Sequence, residues 1–99
     1  MRMMLKAHFD VEAANLTINE GAAGAIFDKI FAICRPEAAY FVADHGKRSL
    51  YAFLDLQSVD QLPMLTEPLF QGFAATVEVI PAMTPDDLAK GLRGYAASR

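Results

Sequence analysis

The chain has 99 residues, with no tryptophan, one cysteine and two histidines. A lone cysteine, Cys34, cannot close an internal disulfide. His8, Cys34 and His45 are too far apart in sequence to form a recognisable zinc or iron ligand set, so neither a metal nor another cofactor is expected. Basic charge is also scarce: 9 basic residues face 12 acidic ones, for a net charge of −3. Nucleic-acid binding needs a concentrated basic surface to displace counterions, and the single Lys47-Arg48 pair is too little. Long apolar runs are missing as well. The longest stretch without a charged side chain, Pro68 to Val77, is ten residues, against about 20 for a membrane span. The opening MRMMLKAHFD reaches Lys6, His8 and Asp10 before any long apolar run, so it does not read as a signal peptide, and a cytoplasmic location is expected. Gly21 and Gly24 sit in a helical pattern without the lysine of a phosphate-binding loop.

What the chain does have is apolar bulk. Hydrophobic residues make up 54%, above the usual ~45–50%, and only 21% are charged. This is a folding chain of single-domain length, residues 1–99. The excess apolar content points to surface buried between subunits.

Alternation in Met3 to Val11 reads as a half-buried strand, with Met4, Lys6, His8 and Asp10 on one face. Thr17-Ile18-Asn19-Glu20 has capping-box spacing and predicts a helix carrying Ala23, Ile26, Phe27, Ile30, Phe31, Ile33 and Cys34, stopped by Pro36. Glu37 to Asp44 and Arg48 to Leu56 read as a hairpin around Gly46. A second helix, capped by Ser58 or Asp60, should run to about Phe70, be kinked or split by Pro68 and end at Gly72. Ala74 to Ala82 reads as a fourth strand. Thr84-Pro85-Asp86-Asp87 then opens a last helix through about Tyr95. The order is β-α-β-β-α-β plus a terminal helix: an α+β, ferredoxin-like antiparallel sheet with helices on one face.

In that topology the first and third strands are central. Leu50, Ala52, Leu54 and Leu56 should face the helices, leaving Tyr51, Phe53 and Asp55 on the open face. An even-numbered hairpin loop places Tyr40, Val42 and Asp44 beside them; the fourth strand adds Thr76, Glu78 and Ile80. An apolar, aromatic patch on a soluble domain marks a contact surface, most economically with a second copy about a two-fold axis. His8 is the candidate base, and Glu78 and Asp10 are candidate orienting carboxylates. Tyr40, Tyr51 and Phe53 are ligand or interface residues. His45 reads as a solvated turn residue and Cys34 as a small hydrophobe.

The element order, the short length and the polar-aromatic sheet face resemble the dimeric α/β-barrel superfamily. That group includes muconolactone-isomerase-like enzymes, cofactor-independent monooxygenases and haem-degrading oxygenases. The closing stretch EPLFQGFAATVEVIPAMTPDDLAKGL is similar to the end of small bacterial members without assigned activity. The resemblance implies a homodimer with paired sheets. It argues against haem degradation, whose members use a tryptophan that this chain lacks. Three readings stay open: a non-catalytic binder of a small apolar or aromatic metabolite, a cofactor-independent isomerase or monooxygenase using His8, and a pure assembly domain.

Overall fold

Alternate apolar side chains on two central strands set the layering of the molecule. The computed structural model describes all 99 residues. Its elements are β1 (Arg2–His8), α1 (Val11–Asn19), α2 (Ala23–Cys34), β2 (Ala38–Asp44), β3 (Lys47–Asp55), α3 (Leu62–Phe73), β4 (Thr76–Pro81) and α4 (Pro85–Ser98), with one 3₁₀ turn at Val59–Gln61. The strands form one antiparallel sheet in the order β2-β3-β1-β4. This α+β arrangement is compatible with a ferredoxin-like fold. No helix is long and apolar enough to cross a membrane.

Met3, Leu5 and Ala7 of β1 and Leu50, Ala52 and Leu54 of β3 are buried on one face. They pack with Ile30 of α2 and with Leu65, Leu69 and Phe73 of α3, which recur every four residues along one side of that helix. Phe9, just past β1, stacks on Phe73 at 4.5 Å, and Phe27 of α2 lies 5.2 Å from Phe73 on its own account. This aromatic cluster ties the end of β1 to both helices.

Several local expectations are corrected. The first strand ends at His8, and Val11 begins a helix absent from the sequence reading. Asp10 caps that helix by accepting from the Ala13 amide at 2.9 Å, while Glu12, Ala13 and Ala14 favour the first turn. Asp10 therefore lies beyond the strand instead of on its open face. Thr17 sits inside α1, and its hydroxyl donates to the Gly72 carbonyl instead of capping α2. Pro68 does not split α3; the helix runs through it because Leu65, Leu69 and Phe73 all anchor to the core. Gly72 lies within α3, which closes instead on Ala74 in a left-handed conformation, φ 46°. β4 is shorter than expected at both ends, and α4 continues beyond Tyr95 to Ser98.

Thr84 and Asp87 cap α4 reciprocally, with Pro85 in its first turn. Beyond that start, every residue of the helix is exposed.

Candidate functional site

The face of the sheet away from the helices is assembled by strand register. One row across it reads Ala38, Phe53, Met4, Ile80; the next reads Tyr40, Tyr51, Lys6, Glu78; the third reads Val42, Ser49, His8, Thr76. The hairpin turn has two residues, His45 and Gly46, both with positive φ, as a tight right-twisted hairpin requires. That even number puts Asp44 on this same face. Tyr40, Val42 and Ile80 are exposed, while Met4, Tyr51 and Phe53 are half-buried.

At one end of the face three polar side chains meet. The Tyr51 hydroxyl donates to the Asp44 carboxylate. His8 Nε2 lies 2.9 Å from the Tyr51 oxygen and 3.3 Å from Asp44 Oδ2. With the phenol proton committed to Asp44, the Tyr51 oxygen is an acceptor, so the pattern assigns the proton of a neutral His8 ring to Nε2. Nδ1 is then the ring's acceptor and the nitrogen available to take a proton. The Tyr51 ring meets His8 edge-on at 5.8 Å.

These contacts shift two groups in opposite directions. The Tyr51 hydrogen bond, then the one from His8, holds the Asp44 carboxyl below its ordinary range, and the nearby His45 ring adds to the effect. Tyr51 is pushed up, chiefly by its bond to Asp44 and then by desolvation, with Glu78 contributing at longer range. Near neutral pH the trio holds one carboxylate and one intact phenol. It can anchor a polar atom of a ligand, or orient His8 to accept a proton.

His8, Tyr51, Tyr40 and Phe53 stand on the open face as the sequence reading placed them. Glu78 shares it, opposite Lys6, but no hydrogen bond links it to His8. The carboxylate that reaches His8 is Asp44, which sequence analysis placed on the face without singling it out; the signal was its parity across a two-residue turn. His45 is an exposed turn residue. Cys34 is half-buried in the helical layer, and desolvation pushes its thiol up, away from the reactive thiolate. No group of three or more histidine, cysteine, aspartate or glutamate side chains converges as a metal site.

Neither concavity of the chain is lined by His8, Tyr51 or Asp44, although the first reaches Val42 and Ser49 of the His8 row. One, of about 360 Å³, is a mainly apolar groove beside Phe9, Phe27, Phe41 and Phe73 with Arg48 at its margin. The other, of about 800 Å³, runs between α2 and α3 past Lys29, Met64 and Glu67. Neither a protein-family model nor a curated protein sequence matches this chain.

Proposed function

We propose that two copies of this chain pair through their open sheet faces and enclose a small apolar or aromatic metabolite, with no resident cofactor. Cytoplasmic residence and the paired-sheet geometry of dimeric α/β barrels belong to the same reading. The observation that carries it is the His8–Tyr51–Asp44 trio at one end of a partly exposed sheet face that carries Tyr40, Met4, Phe53 and Ile80 alongside the Lys6–Glu78 and Arg2–Asp55 pairs. An apolar face alone would suit an assembly domain packed solidly against its partner. A carboxylate and an imidazole on that face need continued hydrogen bonding, because burying unpaired polar groups is costly. A polar or water-containing cavity beside the trio meets that need.

The trio also favours a second reading. His8, oriented through Nε2, has Nδ1 free to remove a proton from a bound carbon acid, with Tyr51 as a hydrogen-bond donor to the resulting oxyanion once it turns from Asp44. That is the isomerase or monooxygenase-like alternative.

Light scattering over a dilution series tests the pairing: a mass near twice 10.8 kDa is expected, and a persistent monomer would sink it. Fluorescence of anilinonaphthalene sulfonate, competed by small aromatic acids, tests the cavity. Tyr51→Phe and His8→Ala should weaken that competition; equal competition by both variants would remove the trio from the site. Turnover of a competing acid by wild type but not by His8→Ala would decide for the enzyme, whereas turnover surviving in His8→Ala would exclude His8 as the base.

A further inference from the structure

Helix α4 is the one element that a single copy leaves unpartnered. Leu88, Leu92 and Tyr95 recur at helical spacing along one side and are 47%, 56% and 62% exposed. Asp86, Lys90 and Arg93 lie on the opposite side. The Cα radius of gyration is 16.0 Å, with a longest extent of 56 Å. A compact domain of this length has a radius of about 13 Å, so α4 stands away from the body. A helix of 14 residues is marginal in water when isolated, even with its capping box.

We infer that α4 crosses to a second copy of this chain and lays its apolar stripe over the exposed β2 margin of that copy, at Tyr40 and Val42. This rests on the reading of the open face as a surface between two copies. Geometry selects the margin. α4 follows β4, one edge of the sheet, and β2 is the other edge. A two-fold axis running along the strands, midway between facing sheets, carries β4 of each copy over β2 of the other. Tyr40 is 62% exposed and Val42 is 41% exposed, and neither side chain is charged, which matches the uncharged stripe.

The area argument agrees. Four strands spaced about 4.8 Å apart, each about 23 Å long, present roughly 440 Å² of flat face. A stable interface buries about 800 Å² per partner. A helix about 21 Å long and 10 Å wide adds roughly 200 Å² from each copy, bringing the total to roughly 640 Å² and closing about half of the gap that sheet pairing leaves.

The test uses full-length protein with Cys34→Ser. Leu92→Cys and Val42→Cys forms, mixed in equal amounts and oxidised, should yield a disulfide-linked pair of the two forms as the main product. Leu88→Asp with Leu92→Asp should raise the dimer dissociation constant at least tenfold, with the core circular dichroism unchanged. Phe53→Asp, in the sheet itself, should weaken the dimer independently. If the wild type is dimeric and Phe53→Asp dissociates it, while the α4 variant stays within threefold of wild type and no 42–92 linkage forms, the helix exchange is wrong and sheet pairing stands. A wild type that remains monomeric at all concentrations overturns both.

Discussion

Truncating Phe73 should be the most damaging single change in the helical layer. The side chain is 1% exposed and stacks nearly parallel to Phe9 and Phe27, with ring planes 15° and 11° apart. Phe→Ala at buried sites costs about 3–5 kcal/mol, from lost transfer energy and from the void left behind. Paired ring contacts place Phe73→Ala near the middle of that range, at about 4 kcal/mol. An unfolding entropy of about 2.1 cal/mol/K per residue comes to roughly 0.2 kcal/mol/K for this chain, so the melting temperature should fall by about 20 °C. The consequence reaches the candidate site. The Phe73 carbonyl accepts from the Asp10 amide at 3.1 Å and the neighbouring Gly72 carbonyl takes the Thr17 hydroxyl, so a void there loosens the segment that follows His8. Urea unfolding followed by circular dichroism gives the free energy. Both proteins should be measured at one concentration, since self-association adds to apparent stability. Phe70→Ala, on the 42%-exposed side of the same helix, is the control and should cost less than about 1 kcal/mol. A loss under about 1 kcal/mol for Phe73→Ala, or equal losses for the two variants, would refute the assignment of Phe73 as the centre of this cluster.

Other outcomes follow from the same geometry. In an alkaline absorbance titration one of the three tyrosines, Tyr51, should ionise above the ordinary range near ~10, and Asp44→Asn should bring it back down. Tyr51→Phe should in turn raise the Asp44 carboxyl toward ~3.9 in a carbon-detected NMR titration. The signs for stability are opposite: the Asp44 contribution is complete above its unfolded value and lost as pH falls through the lower folded one. The Tyr51 contribution is complete below its unfolded value and lost as pH rises through the higher folded one. Ala74→Gly should stabilise the protein by about 0.5–1 kcal/mol, read as a higher melting temperature, because Ala74 closes α3 at φ 46° and ψ 44°. Asp10→Ala should cost about 1 kcal/mol in urea unfolding, with Asp10→Asn close to neutral, as expected for a helix cap.

The sheet was legible because alternation is a strong signal when one face is buried. Leu50, Ala52 and Leu54 on one side and Tyr51 and Phe53 on the other leave a single workable register. α1 was not legible, because two signals compete over ten residues. Phe9 and Val11 continue the strand's alternation, while Asp10 provides a cap and the Ala13 amide donates to it. The burial of Phe9 against Phe73, a contact 64 positions apart in sequence, settles that competition. Pro68 and Gly72 misled in the same way: both are local breakers, held in α3 by three core anchors. At Gly72 an added Cβ would lie 2.6 Å from the Ile26 side chain, so α2 and α3 approach closely there and the glycine serves packing instead of termination.

The candidate site was half legible. Parity placed His8, Tyr51 and Asp44 on one face, but parity cannot say which neighbours touch. Asp44 sits opposite Lys47 in register, yet its side chain reaches across to Tyr51, which pairs with Tyr40, and to His8 on the next strand. That diagonal reach is what the proposed ligand-holding reading rests on, beyond association alone. Asp44 Oδ2 is occupied by both donors, while Oδ1 has only the exposed His45 ring, at 3.7 Å. A second copy laid flat over this end would strip water from Oδ1 without replacing it, and an unpaired carboxylate oxygen resists such burial. In the proposed pairing, close sheet contact is therefore favoured at the Met4, Phe53 and Ile80 row, which itself carries no charge although Arg2 and Asp55 flank it, and separation is favoured at the His8 row. Two sheets paired in the proposed way would touch at one end and part at the other, enclosing a wedge with the trio at its wide, polar end.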